Sequence, residues 1–190
     1  WAAAPAGLGR TQSTRGATGI AAVIFVTGGA RSGKSAFALR KASSFNGDAV
    51  SFIATAEALD SEMNDRITQH KLERNPKWQT LEESLDIGSA LERATHKLIV
   101  LDCVALWVSN LLLTGTSETA MLERTAAFIA SAATLEKNVI VVSNEVGLGI
   151  VPDNALSRRY RDALGRVNQT FAAASSEAYL LVSGLELQLK

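Results

Sequence analysis

The sequence predicts an α/β domain built on a mainly parallel sheet covered by helices. Three observations predict it. Apolar runs without polar alternation, Val23-Ile24-Phe25-Val26-Thr27, Leu98-Ile99-Val100-Leu101-Asp102-Cys103 and Val139-Ile140-Val141-Val142-Ser143, read as strands buried on both faces. Segments of helical periodicity separate them, which is the βαβ pattern of a parallel sheet. Gly28-Gly29-Ala30-Arg31-Ser32-Gly33-Lys34-Ser35 reads G-x-x-x-x-G-K-S, between the first strand and the helix formers Ala36 to Ala42.

In order along the chain, Trp1 to Ala22 is read as a disordered extension, rich in Ala, Gly and Thr, and 23–190 as one domain. After the first helix, Phe45-Asn46-Gly47-Asp48 signals a turn, and Ala49 to Ala54 a second strand. Asp60 or Ser61 can cap a helix that runs to about Arg74 and stops at Asn75-Pro76. Glu82 to Ala94 reads as a helix interrupted near Gly88. Helices are also expected over Leu106–Leu113, Glu118–Leu135 and Leu156–Ala174. Ala178 to Val182 is the last long strand. Ser183-Gly184 turns it into Leu185–Leu189, a C-terminal edge hairpin.

Composition narrows the function classes. In 190 residues, Lys+Arg and Asp+Glu both number 19, so no global field draws the chain to nucleic acid or an anionic membrane. No apolar stretch approaches transmembrane length. The single cysteine, Cys103, permits no intrachain disulfide and reads as a small buried hydrophobe, which suits a reducing cytosol and a cytoplasmic location.

The Gly28–Ser35 spacing is that of a phosphate-binding loop. Its glycines let the backbone turn and approach phosphate oxygens, and the first amides of the helix bind anions. Lys34 places a charge on the β- and γ-phosphates, and Ser35 offers its hydroxyl to Mg²⁺. Asp102, closing a strand downstream, is the second candidate Mg²⁺ ligand, because strand C-termini line the ligand crevice of such sheets. Met63, Ile67 and His70 share one helical face, with Arg66, His70 and Arg74 in a neighbouring line. His70 is therefore either a satisfied core residue or a neutral imidazole beside phosphate-binding arginines, competent as a nucleophile. His96 is expected to be a solvated loop residue. Asn144 to Pro152 is a plain connector or a loop packed near ligand, and Arg158, Arg159 and Arg161 are a solvated face or a subunit contact.

These residues also carry a family resemblance. Val26 to Ser35, Phe52-Ile53-Ala54-Thr55-Ala56, Asp65 to Lys71, Leu101-Asp102-Cys103, Val108 to Leu112, Ser143 to Pro152, Gly165 to Gln169 and Val182-Ser183-Gly184 resemble the bifunctional adenosylcobinamide kinase/adenosylcobinamide-phosphate guanylyltransferases. The likeness extends over about Val23 to Lys190. It implies a RecA-like P-loop NTPase fold, a homotrimer and two reactions of coenzyme B12 assembly. ATP or GTP phosphorylates the aminopropanol arm of adenosylcobinamide. GTP then guanylylates that phosphate through a GMP–histidine intermediate and releases pyrophosphate. The resemblance places the nucleophile on His70 and the nucleotide contacts on Gly28 to Ser35, Ala54, Thr55, Ala56, Lys71, Leu72, Glu73, Arg74, Glu82 and Asp102. This chain has Gln69 where some members carry a second histidine, Asp102 where some carry Glu, and Leu72-Glu73 where some carry Asp-Gly. The competing readings are a single-step P-loop kinase with a structural His70, and a regulatory NTP-binding module.

Overall fold

The computed structural model describes residues 21–57, 61–72 and 74–190, without the side chains of residues 61–64, 66 and 70. The strands are β1 (Val23–Gly28), β2 (Val50–Ala54), β3 (Gln79–Glu82), β4 (Leu98–Asp102), β5 (Asn138–Val142), β6 (Glu177–Val182) and β7 (Leu185–Gln188). The helices are α1 (Lys34–Asn46), α2 (Ser61–Leu72), α3 (Ile87–Arg93), α4 (Val104–Leu113), α5 (Glu118–Thr134) and α6 (Ala155–Ala174). The strands form one sheet in the order β3-β2-β4-β5-β1-β6-β7, parallel throughout except for the β6–β7 hairpin.

Alternation along each strand splits the core in two. Val23, Phe25, Ile53, Ile99, Leu101, Val139 and Val141 face α3 to α6, packing with Trp107, Phe128 and Phe171. Ile24, Val26, Phe52, Val100, Ile140 and Val142 face the other way, toward Phe37, Ala38 and Ala42 of α1 and toward Trp78. Each fully buried large side chain contributes roughly 1.5–3 kcal/mol, which is why both strand faces are apolar. Two buried indoles are matched: the Trp107 N–H donates to the Leu85 carbonyl, and that of Trp78 to the Gly47 carbonyl.

Three expectations are corrected. Glu82 to Ala94 is not a single helix. Glu82 ends β3, which pairs in parallel with β2, and α3 starts only at Ile87. The acids of this segment shape the turn between them. Glu83 Oε1 accepts from the amides of Leu85 and Asp86, and Asp86 Oδ1 caps α3 through the Ser89 amide. Phe45 and Asn46 are helical, and the turn begins at Gly47, at φ 55°, whose N–H donates to the Ser43 carbonyl. His96 is half-buried, with Nδ1 3.1 Å from the Ser51 hydroxyl and its amide donating to that same oxygen, because the chain there runs over β2 into β4.

The extension expected over residues 1–22 falls, as far as residue 20, outside the described residues. Ala22 donates to Asn138 Oδ1 and accepts from the Val139 amide. No helix among the described residues is long and apolar enough to cross a membrane.

Candidate active site

The site gathers at the C-terminal ends of β1, β4 and β5. At the end of β1 the chain must turn hard beside β6. Gly28 has φ 152°, and a Cβ there would lie 2.3 Å from the Leu181 carbonyl oxygen. Only glycine fits. Gly33 occupies the N-cap of α1 at φ 95° and supplies no capping side chain, whereas Asp86, Ser117 and Asn154 cap α3, α5 and α6 through their side chains. Like α4 at Cys103, α1 therefore starts without a side-chain cap, and its first amides are able to bind an anion. Lys34 is buried and lies along the loop, its Nζ donating to the Gly29 carbonyl at 2.6 Å and reaching Ser32 Oγ at 3.4 Å. Burial pulls its ammonium below the ordinary lysine value, and Cys103 and Asp102 oppose that pull. Gly29, Ala30 and Arg31 are exposed on the loop, Ser32 is buried, and Ser35 is half-buried in the first turn of α1.

The β6–β7 turn braces this loop from outside. Ser183 and Gly184 have φ of 52° and 82°, the paired left-handed conformation of a two-residue hairpin. The Gly184 amide donates to the Ser32 carbonyl at 3.0 Å. In a trans peptide, holding the Ser32 carbonyl outward aims the Gly33 N–H inward, toward the phosphate cradle. From the sequence, Ser183-Gly184 is a turn and part of a block shared with the family, with no role assigned to it. Its contact with the loop joins residues far apart in the chain and leaves no local signal.

Asp102 ends β4, in register with Ala54 of β2 and Val142 of β5. Thr55 is fully buried and pins this junction. Its Oγ1 donates to the Cys103 carbonyl at 2.7 Å and accepts from the Cys103 amide at 2.9 Å, while its own amide donates to the Asp102 carbonyl. Asn110 of α4 donates to the carbonyls of Thr55 and Ser84, so a buried polar residue in a largely apolar helix ties three segments together. Cys103 packs against both cores, and burial, then Asp102, pushes its thiol up to about 12. Ala54 is buried and Ala56 half-buried on the same strand end.

Arg74 lies over the Phe52 ring, its guanidinium carbon 3.8 Å from the centroid, and its Nη1 is buried without a hydrogen-bond partner. Burial lowers its pKa, against the fields of Asp102 and Glu82. A buried guanidinium that feels the fields of two acids and has an unpartnered Nη1 is suited to a phosphate oxygen. Lys71 and Glu82 pair with each other, and Leu72 is exposed. His70 belongs to α2, but its side chain, like those of Met63 and Arg66, lies outside the described residues, as does Glu73. After β5 the chain stays beside the loop: the Ser143 amide donates to the Val26 carbonyl and the Glu145 amide to the Gly28 carbonyl. Arg158 donates to the Pro152 and Asp153 carbonyls, and Arg161 pairs with Asp162.

Comparison with known proteins shows what this chain is similar to. The family described as "Cobinamide kinase / cobinamide phosphate guanyltransferase" matches residues 24–189. The chain belongs to this family. Membership makes it an enzyme with both activities, the kinase and the guanyltransferase. It is 41% identical to the bifunctional adenosylcobalamin biosynthesis protein CobU of Salmonella typhimurium, over 88% of this chain and 99% of that one. With CobP of Pseudomonas aeruginosa, which carries the same description, the identity is 42%, over 87% and 95%. Among solved structures, the flagellar accessory protein FlaH of Methanocaldococcus jannaschii superposes with a TM-score of 0.54 at 14% identity, covering 90% of this chain and 79% of that one. A KaiC-like protein of Pyrococcus horikoshii gives 0.50 at 15%, covering 85% and 71%. These two share the fold alone. As the resemblance implied, the chain has the RecA-like P-loop NTPase fold, with β5 inserted between the loop strand β1 and the Asp102 strand β4.

Proposed function

We propose that both reactions use the one phosphate cradle at Gly28–Ser35, with His70 as the nucleophile of the second. In the kinase step the hydroxyl of the aminopropanol arm of adenosylcobinamide attacks the γ-phosphorus of ATP or GTP, and the nucleoside diphosphate leaves. In the transferase step a His70 ring nitrogen attacks the α-phosphorus of GTP, and pyrophosphate leaves. The cobinamide phosphate oxygen then displaces His70 from that phosphorus, giving adenosylcobinamide-GDP. The observation that carries this reading is the uncapped N-terminus of α1 beside buried Lys34, with Asp102 close enough to oppose the loss of its charge. Lys34 and the Gly33 amide hold the phosphates, and Arg74, with its unused Nη1, steadies the charge that moves during transfer.

Mg²⁺ fits the donors present. Ser35 and Asp102 offer hard oxygen donors, the ligand type that suits Mg²⁺. Held by Ser35 and Asp102, it would supply positive charge against the charge developing on the transferred phosphoryl group. The chain is further read as a homotrimer of the cytoplasm. The apolar side chains Val182, Leu185, Leu187 and Leu189, exposed around the β6–β7 hairpin, support self-association.

The test is GTP labelled at the α- or the γ-phosphate, with wild type and His70→Ala. The α-label is expected on the wild-type protein in an acid-labile, alkali-stable bond, and absent from the variant, which keeps much of its cobinamide phosphorylation. Undiminished α-labelling of His70→Ala would move the nucleophile elsewhere. Wild type without any covalent label would leave a single-step kinase.

A further inference from the structure

We infer that the loop after β5, Asn144 to Pro152, is the platform on which the corrinoid acceptor lies, with Leu148, Ile150 and Val151 against the macrocycle. This rests on the two-step reading of the function and names the acceptor side of that same site. Strand order comes first. Because β5 lies between β1 and β4, its C-terminal loop opens between the phosphate loop and Asp102. The hydroxyl of the acceptor must approach there, to within about 3–3.5 Å of the phosphorus it attacks. The contact is direct at the root of the loop, where the Glu145 amide donates to the Gly28 carbonyl at 3.0 Å.

The second observation is what the loop displays. Leu148, Ile150 and Val151 are 86%, 97% and 60% exposed. Three large aliphatic side chains exposed within four residues of one loop, beside a site, suit a surface that a ligand covers. Their exposure is built in, because both ends of the loop are pinned. At the root, buried Asn168 accepts from the Ser143 hydroxyl at 2.6 Å and donates to the Asn144 carbonyl at 3.0 Å. Inside the loop, Glu145 accepts from the Gly147 amide. At the far end, Arg158 holds the Pro152 and Asp153 carbonyls at 2.9 and 2.6 Å.

The occupant follows from the position and from the gradient along the loop. Asn144 and Glu145, polar, stand next to the phosphate loop, and the aliphatic tip lies farther out. Adenosylcobinamide has a matching layout: a polar arm that ends in the reacting hydroxyl, attached to a broad macrocycle whose rim carries methyl groups among its amides. A second protein chain seated on this tip would close the mouth through which the acceptor must enter.

The experiment uses the full chain with Ile150→Ser, and with Leu148→Ser and Ile150→Ser together. Ile150→Leu serves as the conservative control. Four quantities are read: KM for adenosylcobinamide, nucleotide affinity, covalent GMP labelling from GTP alone, and mass by light scattering. KM for the corrinoid is expected to rise at least about tenfold in the double variant, equivalent to ~1.4 kcal/mol. The other three readouts should match wild type, and Ile150→Leu should restore KM. An unchanged KM overturns the inference. A changed mass makes the tip a contact between copies and overturns it too. Equal losses of corrinoid turnover and GMP labelling would show that the loop only supports the phosphate cradle. If wild type itself turns over no corrinoid, the functional reading fails, and the inference with it.

Discussion

Replacing Thr55 by Val removes one oxygen from a fully buried position and nearly preserves the shape. That oxygen makes two hydrogen bonds to one residue, donating to the Cys103 carbonyl at 2.7 Å and accepting from the Cys103 amide at 2.9 Å. The consequences for the two backbone groups differ. The Cys103 carbonyl keeps the Trp107 amide at 3.2 Å, whereas the Cys103 N–H loses its side-chain acceptor. Two lost bonds at roughly 0.5–1.5 kcal/mol each, one of them leaving a buried donor that costs about 1–3 kcal/mol, put the destabilisation near 3 kcal/mol. For a chain of this size that lowers Tm by roughly 6–12 °C. Thr55→Ser keeps the oxygen and should cost about 1 kcal/mol for its missing methyl. Urea midpoints and thermal melts of the three proteins make the comparison. Because Cys103 directly follows Asp102, Thr55→Val should also raise the Mg²⁺ concentration needed for half-maximal kinase rate. A Thr55→Val protein within about 0.5 kcal/mol of wild type would refute the reasoning, since the Cys103 amide would then have found another partner.

Gly28→Ala places a Cβ 2.3 Å from the Leu181 carbonyl oxygen at φ 152°, so it should cost about 3 kcal/mol or more in a melt, whereas Gly29→Ala, with nothing within 4 Å, should cost little. Equal melts for the two would contradict the close packing of β6 on the loop. Lys34→Ala should slow both phosphorylation and guanylyl transfer by on the order of 10²-fold, and a wild-type guanylylation rate would separate the two nucleotide sites. Burial, then Asp102, raises the Cys103 thiol from its ordinary value of 9.0 to about 12. In the unfolded chain the thiol releases its proton near 9.0, and in the folded chain it keeps it until about 12, so stability falls as pH rises through that window. Urea midpoints between about pH 8 and about pH 11 should therefore drop more steeply for wild type than for Cys103→Ala. Parallel curves would exclude Cys103 from the alkaline loss.

The sequence by itself determined the elements whose signal is local. Leu98–Asp102 and Asn138–Val142 are strands because an unbroken apolar run fits a strand covered on both faces. The phosphate loop was legible because its chemistry sits within eight consecutive residues, Gly28 to Ser35, and the family was legible from blocks kept in order. β3 was not, because an edge strand of four residues has little pattern of its own and is defined by its pairing with β2. The acids around Glu82 to Asp86 suggest a helix start by propensity, and tertiary pairing overrode it.

Only the tertiary structure decided which of the candidate residues meet. The insertion of β5 between β1 and β4, the Gly184 amide on the Ser32 carbonyl, the Thr55 hydroxyl on Cys103 and the unused Nη1 of Arg74 over Phe52 all join segments distant along the chain. Hydrogen bonding and burial are set by what the folded chain brings alongside. A residue's type and spacing therefore state which chemistry it can offer, and its neighbours across the sheet determine whether that chemistry is spent inside the fold, as at Thr55, or displayed, as at Ile150.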